Sequence, residues 1–445
     1  MNKTISALFL LLLTALVAPS QQSDILVKLT GGQVPVIAIT DMRGTGDAQT
    51  NMGVFNRTLF DEIDNSGMLK IAPKSMYPLS VPQRPQDFSA RGVVMADWAK
   101  PPVAANYLAF GYTAIQDGRL VLMGYLYDVK QPDAANAQVI GKLYFGDPTA
   151  EGARSVAQEF AADILARFGV KSLAGSKIYF VRQMGRDSKE IWQMDYDGSN
   201  QRPVTQYGPG YTSFMPSVSK DNTKLAFTQL SQKNPAVILY SLETNRKLPF
   251  VNPQASVNSS ADFTPDGQNI IFSSSLGAGF ANLFMAGIDG SGIRRLTSVR
   301  AVETEPKVNP KTGREVVFTS GRSGPPQLYK MSIDGADIER LTSGEGDAVN
   351  PSWHPEGQLI TFSWTRGFEP GNFNIFVMDV TKKEYIQLTH GVGRNENPTW
   401  APDGRHIVFC SNRSGTPQIW TMLADGTQVK RLTSQGSNTM PVWSK

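Results

Sequence analysis

The stretch NPTWAPDGRHIVFCSNRSG, residues 397–415, decides the fold. Pro398 to Ala401 is short and apolar, and it stops at the turn Pro402-Asp403-Gly404. His406 to Ser411 follows, with Ile407 and Phe409 on one face by the two-residue period of a strand. Gln418 to Met422 and Val429 to Thr433 have the same character and meet at Asp425-Gly426. Asp-Gly suits such corners because a tight hairpin needs positive φ, which Gly adopts freely and Asp tolerates.

The pattern repeats. NPSWHPEGQLITFSW stands at residues 350–364 and ADFTPDGQNIIFSSS at 261–275. Aligned on Phe180, Phe227, Phe272, Phe318, Phe362 and Phe409, the units follow one another at 47, 45, 46, 44 and 47 residues. Leu-Thr at 296, 341, 388 and 432 and Asp-Gly at 197, 289, 334 and 425 keep the same phase. Four short strands in roughly 45 residues predict a propeller blade, stacked on its neighbours because one blade cannot bury both faces. Trp353, Trp400 and Trp443 are expected in that inter-blade core. The first unit starts at Lys177-Ile178-Tyr179-Phe180, a second strand without a first, whereas Met440 to Ser444 is a first strand without a second. The expectation is a six-bladed β-propeller over 177–445, its ring closed by the C-terminal strand so that no edge is left open.

Residues 21–168 lack this phase and predict a small α/β domain with a mixed sheet. Val34 to Ile39 reads as a buried strand, and Phe55, Leu59 and Ile63 as a helical stripe. Tyr107–Gln116 and Arg119–Val129 flank Asp117-Gly118 as a hairpin, with Gln138–Phe145 as a third strand. A last helix opens at Pro148, carries Val156, Phe160 and Ile164 on one face, and ends at Gly169. Residues 169–176 are the expected linker. Residues 1–20 read as a cleaved signal peptide: Lys3, then an apolar run from Ile5 to Val17, then Ala18-Pro19-Ser20 before Gln21. A signal anchor is the rival reading of that run.

With 40% hydrophobic and 18% charged residues the chain reads as globular, and a net charge of +4 without a basic run gives nucleic-acid binding no support. Cys410 is the one cysteine of the sequence, so an exported, disulfide-free protein fits a bacterial periplasm. No G-x-S-x-G nucleophile motif, P-loop or calcium loop is written in the sequence. His354, His390 and His406 read as surface or packing residues, without metal-ligand spacing. No cofactor or metal is expected. The polar residues just before each first strand, among them Asn258-Ser259-Ser260, Glu303-Thr304-Glu305 and Asn395-Glu396-Asn397, predict a rim suited to gripping a peptide or protein loop.

Signal peptide, α/β domain and repeats of the P-x-W-x-P-D-G-x-x-I-x-F type together resemble the TolB family of the Tol–Pal system, over essentially the whole mature chain. The hairpin AFGYTAIQDGRLVLMGYLYDV and the element Glu303-Thr304-Glu305-Pro306 add to the likeness. The resemblance implies a non-enzymatic periplasmic adaptor that links the lipoprotein Pal to TolA, maintains the outer membrane during division, meets the membrane only through partners, and is exploited by colicins in some hosts. By motif position it implies Asn258, Ser260, Thr304, Glu305, Glu396 and Asn397 as Pal-facing, and Asp24, Ile25, Val27 and Leu29 within DILVKLTGG as TolA-facing. The alternative is a propeller hydrolase or glycan-binding protein with its site in the central channel.

Overall fold

The computed structural model describes residues 34–444, apart from 90, 91, 233, 278, 368 and 370. The expected signal peptide and the TolA-facing Asp24, Ile25, Val27 and Leu29 lie outside the described residues.

The N-terminal unit is a mixed sheet with strand order Lys70–Ile71, Val36–Ile39, Tyr107–Gln116, Arg119–Asp128, Gln138–Gly146. Val36–Ile39 runs parallel to Tyr107–Gln116, and the hairpin beyond it is antiparallel. Asp117 and Gly118 turn that hairpin at φ of 49° and 71°, as the Asp-Gly pair predicts. Helices Met52–Asn65 and Ala150–Ala166 cover one face, with Phe55, Leu59, Ile63, Val156, Phe160 and Ile164 fully buried. Burying side chains of this size stabilises the layer by about 2 kcal/mol each. The second helix starts later than Pro148 because Thr149 is its cap: the backbone there is extended, and the hydroxyl accepts from Gly152 N at 3.1 Å.

The rest of the described chain is a β-propeller. Four four-stranded sheets start at Asn258–Phe263, Glu303–Val308, Ala348–Trp353 and Asn395–Trp400. An eight-stranded sheet joins Asn438–Trp443, Lys177–Gly185, Ser188–Asp195 and Arg202–Pro203 to the strands from Thr212–Val218 to Arg246–Leu248, through one parallel bridge between Lys189 and Thr212. Asn438–Trp443 runs antiparallel to Lys177–Gly185, with Val442 opposite Tyr179 and Trp443 opposite Ile178. The Trp443 indole donates to Ser176 Oγ at 2.9 Å. Apolar side chains pack between consecutive sheets: Ile375 and Val377 meet Trp400, Ile407 and Phe409, while Trp443, Ile178 and Phe180 meet Val408 and Ile419. The tryptophans at 353, 400 and 443 are buried, as expected of core residues.

The first strand of every unit carries a β-bulge, which the sequence reading did not anticipate. At Asn395–Trp400 the register slips between Glu396 and Thr399. Asn397 there has φ 53°, and Met215, Ser260, Glu305, Asn350 and Met440 occupy the same position at φ of 49–55°. A bulge of this kind bends the strand and re-aims one side chain.

The two units touch through the C-terminal end of helix Met52–Asn65. Arg405 donates to the carbonyls of Ser66 and Gly67 at 3.3 and 3.0 Å. His406 bonds Asn65 O at 2.7 Å through Nε2 and Asp403 at 2.6 Å through Nδ1. Both ring nitrogens face acceptors, the Asp403 carboxylate and the Asn65 carbonyl. Cations complement a helix C-terminus, where carbonyls are left without partners.

Candidate functional site

The bulged residues converge. Met215, Ser260, Glu305, Asn350, Asn397 and Met440 line one cavity of about 450 Å³. It continues past the second halves of the same strands to Lys220, Lys311 and Glu356, near the turns that lead into the second strands.

Its polar groups bond across neighbouring sheets. Glu305 accepts from Thr319 Oγ1 and Asn350 N, both at 2.8 Å, and from Asn350 Nδ2 at 2.6 Å. Ser260 Oγ lies 2.9 Å from Thr304 Oγ1. Buried Asp262 accepts from Ser217 Oγ at 2.6 Å and Val308 N at 2.9 Å, with Lys307 Nζ at 3.6 Å, so one carboxylate ties together three sheets. The lining is pre-ordered, with its hydrogen bonds made before anything binds.

The expected rim residues divide into two groups. They do not precede the first strands but form their opening halves, Asn258 and Ser260 in Asn258–Phe263, for example. Asn258 is 3% exposed and Ser260 5%, so both are buried, Ser260 with its edge on the cavity. Asn258 accepts from Ser274 Oγ at 2.7 Å and donates to Pro253 O at 3.0 Å. The residues at its position in other sheets, Glu303, Asn395 and Asn438, are buried too. Thr304, Glu305, Glu396 and Asn397 are half-buried and reachable. Glu396 holds Arg394 at 2.6 Å, and that bond raises the guanidinium pKa further.

Histidine and thiol chemistry is constrained by burial. His354 packs against Trp400 with ring centroids 4.7 Å apart, and burial lowers its pKa. Cys410 is buried, and desolvation pushes its thiol up to about 12. Such a group is not a nucleophile at neutral pH.

A family model described as the TolB beta propeller domain matches residues 167–369 and 343–445. The chain belongs to the TolB β-propeller family. Among curated relatives, the Tol-Pal system protein TolB of Bordetella pertussis and that of Bordetella bronchiseptica are each 27% identical over 337 residues, 73% of this chain and 70% of theirs. The crystal structure of TolB from Acinetobacter baumannii superposes with a TM-score of 0.75 at 20% identity, over 93% of this chain and 97% of that one. At that identity the likeness speaks for the fold, and its span takes in the α/β unit together with the TolB propeller.

Asn350 belongs to the expected polar rim and lines the cavity, whereas Met215 and Met440, which line it too, were not singled out from the sequence. One signal was available: Pro216, Pro306, Pro351, Pro398 and Pro441 each follow a bulged residue.

Proposed function

We propose that this TolB-family chain is a non-enzymatic periplasmic scaffold of a Tol–Pal system, exported by a signal peptide cleaved after residue 20. In this reading residues 21–168 are the α/β domain, 169–176 the linker and 177–445 a six-bladed propeller. The eight-stranded sheet counts as two blades, and Asn438–Trp443 closes the ring. The propeller takes a Pal-like peptidoglycan-associated lipoprotein, and Asp24, Ile25, Val27 and Leu29 engage a TolA-like protein, so that the pair supports outer-membrane integrity and division. Colicins are further partners in hosts that they attack.

The observation that carries the reading is the family match across 167–445. In this reading Thr304, Glu305, Glu396 and Asn397 make the contacts; the Ser260 hydroxyl bonded to Thr304 and the buried Asn258 bonded to Ser274 are consistent with a rim ordered in advance. The test is calorimetric titration of the mature protein with the soluble domain of its host's Pal-like lipoprotein. Micromolar or tighter binding, weakened by Thr304→Ala and Glu305→Ala, is expected; no binding at 100 µM on the order-of-magnitude scale of weak complexes ends the proposal. A second reading, a glycan or hydrolase site in the channel, draws on the cavity of about 450 Å³. A glycan held by Glu305 and Asn350 in a soaked crystal is the result that favours it.

A further inference from the structure

Four arginines at one end of the propeller rest on aromatic rings. The guanidinium carbon of Arg182 lies 4.0 Å from the Trp192 centroid, and that of Arg295 5.5 Å from Phe284. Arg366 is 5.2 Å from Trp364 and Arg413 5.0 Å from Trp420. They occupy the same end because Asn438 pairs with Arg182, Asn395 with Ser411 and Ala348 with Trp364; Asn282, which holds Arg295, pairs with Ser274 opposite Asn258. That end is where the first strands begin, the end that carries Thr304 and Glu396.

Their N–H groups donate to neutral oxygens. Arg182 bonds Asn438 Oδ1 at 2.8 Å and Gln201 Oε1 at 2.7 Å. Arg295 bonds Thr297 O at 2.8 Å and Asn282 Oδ1 at 2.5 Å. Arg366 bonds Ser343 O at 2.8 Å, and Arg413 bonds Asn395 Oδ1 at 2.9 Å and Ser411 Oγ at 3.0 Å. Among the described residues no carboxylate stands within ion-pair distance of these four, whereas Arg322 has Glu303 and Arg394 has Glu396. Burial lowers the pKa of Arg182 and Arg413. A half-desolvated cation without a counter-charge is costly. Stacking and one-sided hydrogen bonds hold each guanidinium in place, which prepares the rest of its donor fork for a carboxylate.

A second feature of that end is apolar exposure. Val302 is 56% exposed, Met184 53%, Val392 42% and Phe280 41%, all at strand ends or connecting loops there. Arginine, methionine and aromatic residues together are the mixture enriched in protein–protein contacts.

We propose that this end of the propeller receives the carboxylate-bearing face of a folded protein, with Arg182, Arg295, Arg366 and Arg413 as its ionic contacts. The inference rests on the reading of this end as the protein-binding face, and it specifies the chemistry of the partner. A continuous anionic polymer or lipid surface fits less well. The arginines come one to a sheet rather than in a run, and the acidic loop residues Glu345 and Asp347 interrupt them without pairing to them.

The test compares the full mature chain with its Arg182→Gln/Arg413→Gln and Arg182→Lys/Arg413→Lys double variants. Circular dichroism first establishes that each is folded. The probes are the soluble domain of the host's Pal-like lipoprotein and a fluorescein-labelled peptide of ten glutamates, each at 50 and 300 mM NaCl. The glutamine pair is expected to bind both probes roughly tenfold or more weakly at low salt, with a smaller gap at high salt, while the lysine pair keeps most of the affinity. Equal binding by wild type and the glutamine pair at both salts overturns the inference, as does arginine-dependent capture on anionic phospholipid vesicles without peptide binding. If the lipoprotein binds regardless of the arginines, this inference fails and the Pal reading stands. If only the glutamate peptide binds, and through the arginines, the Pal reading fails and this one stands.

Discussion

Trp443→Ala is the sharpest test of how the propeller is held. The side chain is 2% exposed and packs on Ile178, Phe180 and Val408. An indole removes about 200 Å² from water, worth about 5 kcal/mol at about 25 cal/mol/Å². Loss of the bond to Ser176 adds about 1 kcal/mol, partial collapse of the cavity gives some back, and measured tryptophan-to-alanine costs run at about 3–5 kcal/mol. The expected destabilisation is therefore about 4 kcal/mol. Because the chain comprises more than one unit, a single unfolding midpoint is not enough. The assay pairs urea unfolding with hydrogen exchange at Ile178–Arg182, the residues that face Asn438–Trp443. Trp400→Ala is the control: it is also buried, but it packs on Ile375 and Val377 rather than on Ile178 and Phe180. Both variants should lose comparable stability, with Ile178–Arg182 exchanging faster in Trp443→Ala alone. A loss below about 1 kcal/mol, or unchanged exchange at Ile178–Arg182, refutes the reasoning.

Glu62 tests the contact between the units. Burial raises its carboxyl pKa above the usual 4.5, against the lowering bonds from Tyr196 and Gln158. A raised folded value gives stability below pH 4.5 that is lost as pH rises through the folded value, so Glu62→Gln should melt higher than wild type at pH 7.5 and the gap should close at pH 4. Asp403 has the opposite sign. Desolvation raises its pKa, but His406 and the backbone amides of Arg405 and His406 outweigh that and hold it below 3.8. Its stabilisation is present above 3.8 and fades as pH falls through the folded value, so Asp403→Asn should cost about 3 kcal/mol at pH 7 and flatten the acid limb of a circular-dichroism titration. Asn397→Val forces a β-branched residue into φ 53° and should cost about 1–2 kcal/mol in urea, whereas Asn397→Gly is expected to be tolerated. Iodoacetamide at pH 8 should leave native Cys410 unmodified and label it fully in urea, as read by mass.

What could be read in advance was periodic or local. The spacing of Phe180 to Phe409 announces the repeats, the Asp-Gly corners announce the hairpins, and Phe55, Leu59 and Ile63 announce the helix, because each pattern is a direct image of burial on one face. The opening residues of the first strands were misjudged for a definite reason. Asn258, Asn395 and Asn438 are polar, and polarity was equated with exposure; in the fold each is buried and hydrogen-bonded, Asn438 to Arg182 across 256 residues. The bulge residues share a backbone conformation but not a side-chain type, as methionine, serine, glutamate and asparagine all occur there. His406 bonds Asn65 across 341 residues, a pairing that no local pattern contains.

The meeting of Asn438–Trp443 with Lys177–Gly185 is knitted by main-chain bonds, by the Trp443 indole on Ser176, by the Ser444 hydroxyl that accepts from Lys177 N and by the Arg182 guanidinium on Asn438, with no covalent link across it among the described residues. The one sulfhydryl of the chain sits inside the neighbouring strand His406–Ser411 and has no cysteine to pair with. Unzipping and re-zipping this seam therefore draws on no electron donor or acceptor, and the same reversible equilibrium governs it in glutathione, in air or in the presence of a thiol oxidase.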